Sequence, residues 1–132
     1  MLSDQEKKKY NLKLLIVDDN NNIRIVLGVM LKNYSNEIIF ANDGIEAIKA
    51  IENNPDIDLI LMDVYMHNMD GFEATRRIRE INKTVIIFVM TASVLSELVE
   101  DFSGTTIDDY FPKPFNKEYL HRLIVKHFRK SI

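Results

Sequence analysis

A chain of 132 residues, 46% hydrophobic and 28% charged, has the size and apolar content expected of one folded domain with an ordinary core. The absence of cysteine excludes a disulfide framework and thiolate chemistry, and is compatible with a reducing compartment. A net charge of -3 offers no general attraction for nucleic acid; Lys126, Arg129 and Lys130 make the last segment basic in the way that complements a helix dipole.

In chain order, the opening stretch MLSDQEKKKY is too solvated to join a core, so residues 1–11 read as a tail or linker and 12–132 as the domain. LKLLIV is a continuous apolar run bounded by DDNNN, the pattern of a strand buried on both faces followed by a helix start. A helix is predicted from about Asn21, with Ile23, Val26, Leu27, Met30, Leu31 and Tyr34 on one stripe and Ile25 and Val29 off it. EIIFA gives a second strand. Asn42 or Asp43 then caps a helix spaced by Ile45, Ile48 and Ile51.

DLILMD is the third strand, and Asp70 with Glu73 forms a capping box for a helix facing inward through Phe72, Ile78 and Ile81. TVIIFVMTA is the fourth; its apolar core VIIFVM is far shorter than the ~20 residues of a membrane span, and the N-terminus lacks a signal peptide's apolar core. A weaker helix over 95–102, a short strand DDYF and a last amphipathic helix complete the set. Tyr119, Leu120, Leu123, Ile124 and Phe128 are the apolar positions of that last helix, with His121 and His127 read as surface residues.

Alternating strands and helices predict an α/β fold, a doubly wound five-stranded parallel sheet with helices on both faces. Ligands of such sheets bind beyond the carboxyl ends of the strands. Asp18 and Asp19 end the first strand, Asp63 the third and Thr91 the fourth, and Lys113 follows the fifth, so one crevice should collect them all. An apolar strand that stops on Asp63 asks for a reason, because burying a polar group unpaired costs ~2 to 7 kcal/mol and a charge more. Acids gathered within a few ångströms require protons or a cation. With no soft ligand among them, Mg²⁺ is the natural choice.

The ordered set LLIVDDN, DLILMDVYMHNMDGFEATRRIR, VMTA and DDYFPKPF closely resembles the receiver domain of two-component response regulators, particularly receivers attached to hybrid histidine kinases. The resemblance covers residues 12 to 130 and implies the flavodoxin-like strand order 2-1-3-4-5, for which a chemotaxis receiver is a standard illustration. It implies that Asp63 is the phosphoacceptor, attacking a phosphohistidine to form an aspartyl phosphate. Asp19, Asp18, Asp63 and the backbone carbonyl of Tyr65 would hold Mg²⁺. Lys113 and Thr91 would contact the phosphoryl group, and Tyr110 would be the switch aromatic. Lys113-Pro114 resembles the family's cis peptide, which would aim the lysine into the crevice.

The sequence departs from the family at His67, where proline is common, at Thr105 and Thr106, where a small residue and a glycine are usual, and at Pro112, which points to a short or edge strand. Gly104 is a candidate stop for the fourth helix. His67 reads first as a solvated loop residue. Ile25 and Val29 either pack under a loop or form an exposed apolar patch where a phosphohistidine-bearing helix docks, since the family uses this first helix for partner recognition.

The partner implied is a histidine kinase or a histidine phosphotransfer protein, with no nucleic acid or membrane contact through this domain and with dimerisation on phosphorylation compatible. The resemblance implies a cytoplasmic stand-alone receiver or a piece of a hybrid kinase, self-phosphorylating and self-dephosphorylating without turnover of an external substrate. Two rivals stand beside it. One is an Mg²⁺-dependent aspartyl-phosphate phosphohydrolase, whose usual second acid is here Tyr65; the other is a pseudo-receiver, whose usual loss of an acid or the lysine is not seen.

Overall fold

The computed structural model describes residues 10–91 and 107–128. In these the chain runs β1 (Leu12–Val17), α1 (Asn21–Leu31), a 3₁₀ turn (Lys32–Tyr34), β2 (Ser35–Ala41), α2 (Gly44–Asn53), β3 (Leu59–Asp63), α3 (Gly71–Ile81), β4 (Ile86–Thr91), β5 (Asp109–Pro112) and α4 (Lys117–Phe128). The helix predicted over 95–102, with Gly104, Thr105 and Thr106, lies outside the described residues, as does most of the predicted tail. Tyr10, assigned to that tail, packs its ring edge-on 5.8 Å from Tyr34.

The five strands form one parallel sheet in the order β2-β1-β3-β4-β5, as the sequence implies. Alternation of side chains divides the apolar runs between two cores. Leu15, Val17, Ile60, Met62, Ile87 and Val89 meet Ala47 and Ile51 of α2 and Ala74 and Ile78 of α3. Leu14, Ile16, Leu59, Leu61, Phe88 and Phe111 meet Leu27 and Leu31 of α1 and Leu120, Leu123 and Ile124 of α4. The three central strands β1, β3 and β4 are buried on both faces, which is why their sequences are near-continuous apolar runs rather than alternating ones.

Capping follows the expected chemistry. Asn20 accepts from the amides of Asn22 and Ile23 at the head of α1, Asp43 from Glu46 at α2 and Asp70 from Glu73 at α3. Asp43, not Asn42, is therefore the cap of α2. Asn116 serves α4 through the Tyr119 amide.

The inward faces of the helices differ in part from their predicted stripes. Val26, Ile45 and Ile81 are 50%, 42% and 52% exposed, while Ala47, Ala74 and Thr75 are buried in their stead. Small residues let α2 and α3 approach the sheet and each other closely, so the larger side chains fall at the helix flanks. His121 and His127 are not free surface residues either. The Tyr34 hydroxyl lies 2.6 Å from His121 Nδ1, and His127 Nε2 lies 2.9 Å from Asp109.

Candidate functional site: an acidic cleft at the carboxyl edge of the sheet

Register assembles the site. Val17 pairs with Met62, Asp63 with Met90, and Thr91 with Pro112, so the residues that end β1, β3, β4 and β5 fall on one line across the sheet. Beyond that line opens a cleft of about 270 Å³ lined by Asp18, Asp19, Asp63, Tyr65, Thr91 and Lys113, with Asn20, Ile23, Val64 and Met90 completing the wall. Every residue assigned to metal or phosphoryl contact from the sequence is therefore gathered in one place.

Three carboxylates, from Asp18, Asp19 and Asp63, each offer an oxygen within 4.8 Å of the others. Asp63 and Asp18 are buried, at 7% and 1% exposure. One oxygen of Asp63 accepts the Val64 amide at 3.0 Å and lies 3.6 Å from the Lys113 ammonium. Asp18 uses Oδ1 to accept the Asn20 amide at 2.9 Å, whereas its buried Oδ2 finds no hydrogen-bond donor. A buried acceptor without a donor is costly. A hard cation among all-oxygen donors satisfies it, so the residues present fit Mg²⁺.

Electrostatics lead to the same conclusion. Burial, reinforced by the neighbouring Asp18 charge and only partly opposed by Lys113, pushes the Asp63 carboxyl up to about 6. Burial also raises Asp18, against the Asn20 amide and Lys113, which favour its charged form. Two buried acids sharing one nearby ammonium carry an excess of negative charge. That excess is available to a divalent ion.

Backbone anchors hold the geometry. The Gly71 amide donates to the Val64 carbonyl at 2.7 Å, and a Cβ at Gly71 would stand 2.2 Å from the Asp63 carbonyl oxygen, so the head of α3 seats directly against Asp63. The loop between β3 and α3 is tied to α2 by Asn68 Nδ2 donating to Asp43 at 2.9 Å and by the Gly44 amide donating to Met69 O at 3.2 Å. Asn68 has φ 67°, a left-handed value that asparagine tolerates. The Lys113 amide donates to Thr91 O at 2.8 Å, continuing the β4–β5 ladder to the site's edge, and Lys113-Pro114 is cis.

Tyr110 is half-buried, paired in register with Val89 and packed against the α2–α3 core. Pro112 lies in the short edge strand β5, paired with Thr91. Ile25 and Val29 are 56% and 67% exposed on α1, joined there by Val26, so the alternative of packing under a loop is excluded. His67 is exposed as read, yet its Nδ1 lies 2.9 Å from Asp19 Oδ2.

Sequence reasoning missed Arg24, whose guanidinium donates to the Asp18 carbonyl at 2.5 Å and to Asn21 at 3.1 Å, bracing the acidic turn from α1. It also missed Asn20 and Ile23 as cleft walls. Arg24 lies six residues from Asp18 in sequence, and a lone basic residue on a polar helix face carries no signal of its own.

The family model for the response regulator receiver domain matches residues 14–125. Histidine kinase 3 of Arabidopsis thaliana is 37% identical over 88% of this chain, which spans only 13% of that relative's length. The receiver domain of the sensor histidine kinase PA1611 from Pseudomonas aeruginosa, solved with a magnesium ion in its active-site cleft, superposes with a TM-score of 0.78 at 30% identity, covering 91% of this chain and 99% of that one. The receiver domain of Ssk1 in complex with the histidine phosphotransfer protein Ypd1 of Saccharomyces cerevisiae is also similar. That match has a TM-score of 0.80 at 27% identity and covers 89% of each chain.

Proposed function

Because the chain belongs to the response regulator receiver family and is a receiver domain of a two-component phosphorelay, we propose that Asp63 is its phosphoacceptor, supplied by the phosphohistidine of a kinase or a phosphotransfer protein. The observation that carries this reading is the position of Asp63, at the floor of the acidic cleft with an ammonium 3.6 Å from one oxygen.

In the reaction a carboxylate oxygen of Asp63 attacks phosphorus in line. The P–N bond of the phosphohistidine breaks, and its electron pair leaves on the imidazole nitrogen, which takes up a proton. Asp18, Asp19, Asp63 and the Tyr65 carbonyl would hold Mg²⁺, which when bound neutralises charge on the phosphoryl oxygens. Lys113 compensates a further share of that charge and orients the group toward Asp63. Thr91, at the end of β4, donates its hydroxyl to a phosphoryl oxygen of the product. As it moves, Tyr110 turns inward along β5, shifting the population of a second conformation.

The unit is residues 12–132, preceded by a tail or linker over 1–11 whose Tyr10 packs against Tyr34. It works in the cytoplasm, free or as part of a larger kinase. No helix among the described residues is long and apolar enough to cross a membrane. The donor docks on α1, where Ile25 and Val29 offer apolar surface beside the cleft. Ile25→Asp should slow phosphotransfer from a cognate donor at least tenfold while leaving labelling by a small phosphodonor intact; equal rates from the protein donor would remove the docking role.

The deciding experiment is the intact mass after incubation with acetyl phosphate and Mg²⁺. One phosphoryl adduct is expected, absent with EDTA and absent in Asp63→Ala. Rapid phosphate release with no adduct would favour a phosphohydrolase, and neither adduct nor release a pseudo-receiver.

A further inference from the structure

The three carboxylates of the cleft are each held by an N–H donor, but the donors differ in kind. Asp18 accepts the Asn20 amide at 2.9 Å and Asp63 the Val64 amide at 3.0 Å, both backbone groups beside the acid in sequence. Among the described residues Asp19 is held by a side chain instead. Its Oδ2 lies 2.9 Å from Nδ1 of His67, 48 residues further along the chain. A carboxylate only accepts, so the imidazole nitrogen carries the proton and donates it.

The contact sits where the fold gains little from it. The His67 side chain is 91% exposed and that of Asp19 29%, and exposed pairs of this kind contribute roughly 0 to 1 kcal/mol. Its geometry bears on the cleft. With the hydrogen bond made, Asp19 still offers an oxygen within 4.8 Å of those of Asp18 and Asp63, because each carboxylate oxygen has two lone pairs and one N–H leaves the others open. The bond also joins the two segments that carry the acids. Arg24 and the Asn20 cap fix the turn after β1, while Asn68 on Asp43 and the Gly44 amide on Met69 fix the loop after β3. His67 links these segments at the rim of the cleft, and since both are already held, closing the link costs little further freedom.

We propose that His67 is a positioning residue for the metal site: it holds the Asp19 carboxylate in the orientation that faces Asp18 and Asp63, and so raises the affinity of the cleft for Mg²⁺ without touching the ion. This rests on the reading of the cleft as an Mg²⁺ site. Hydrogen bonds made to metal-holding side chains by residues outside the ligand set change metal affinity by about 10- to 100-fold, and an exposed donor belongs at the lower end. The role requires an N–H on the atom bonded to Cγ, which asparagine also supplies and alanine does not.

The test is calorimetric titration of the full chain with Mg²⁺ at one neutral pH in wild type, His67→Ala and His67→Asn, with denaturant unfolding of the metal-free proteins alongside. Mg²⁺ affinity is expected to fall about tenfold in His67→Ala and to be restored in His67→Asn, while the three metal-free unfolding curves coincide. An affinity unchanged in His67→Ala, or an equal fall in both variants, would overturn the positioning role and leave the Mg²⁺ site standing. A metal-free unfolding midpoint that drops in His67→Ala would overturn it too, by assigning the bond to the fold. Failure of Mg²⁺ to bind the wild type at millimolar concentration would instead overturn the reading of the cleft, and the proposal with it.

Discussion

The two edges of the sheet treat carboxylates in opposite ways. At the amino edge each acid described has a partner. Asp108 receives Arg79 and the Ile87 amide, and Asp56 and Asp58 receive the ammonium and the amide of Lys13. Asp109 receives Lys126 and His127. Burial, the largest single influence, would raise Asp109, but these two hydrogen bonds together with the Tyr110 amide and the Lys126 charge outweigh it and hold the carboxyl below its usual range. At the carboxyl edge, burial and mutual repulsion win, and Asp63 is raised to about 6. One edge spends its charges on holding the fold together; the other keeps an unbalanced excess of negative charge.

The contrast can be broken most severely at Gly71. Because an added Cβ would meet the Asp63 backbone at 2.2 Å, Gly71→Ala must displace either α3 or the acceptor loop. We expect a loss of about 3 kcal/mol in denaturant unfolding, at the upper end of overpacking costs, together with weakened Mg²⁺ binding.

Next is Asp63→Asn, which should stabilise the metal-free protein. With the folded carboxyl at about 6 against an ordinary 3.8, the folded state binds the proton more tightly than the unfolded one. The stability contributed by this group is therefore fully present below pH ~3.8 and is lost as pH rises through about 6. The variant escapes that loss, so at pH 7.5 without metal it should exceed wild type by on the order of 2 to 3 kcal/mol. The gap should close near pH 4 and narrow when Mg²⁺ is added. A gap that is constant with pH would contradict the electrostatic account of this edge.

The smallest effect expected is at the amino edge. Arg79 donates to the Val85 carbonyl at 2.6 Å and to Asp108 at 2.9 Å, with only 11% of its side chain exposed. Arg79→Ala should destabilise by about 1 kcal/mol, the lower end of what leaving acceptors unpaired costs. Acetyl phosphate labelling measured by intact mass should still reach one adduct. Loss of labelling in the folded variant would show that the two edges are not independent.

Legibility in the sequence divides along related lines. The strands were readable because a strand buried on both faces must be a continuous apolar run, and the acids stood out because they interrupt such runs at their ends. Asp18, Asp19, Asp63, Thr91 and Lys113 were found that way and do share a cleft. Helix faces were less readable. Periodicity gives the spacing of an apolar stripe but not its exact centre, so it points Val26, Ile45 and Ile81 inward, whereas the structure exposes them and buries Ala47, Ala74 and Thr75. The histidines were least readable. The partner of His121 is Tyr34, 87 residues away in sequence, and that of His67 is Asp19, 48 residues away. Such pairings exist only after topology is fixed.

The parallel register also has a consequence for the life of the chain. Asp18, Asp63, Thr91 and Lys113 come from the ends of four different strands, and the lysine follows directly on β5, the last strand among the described residues. No fragment emerging during synthesis owns the acceptor site; the ammonium arrives only when the outermost strand docks against β4. The cleft is thus complete only when the sheet is.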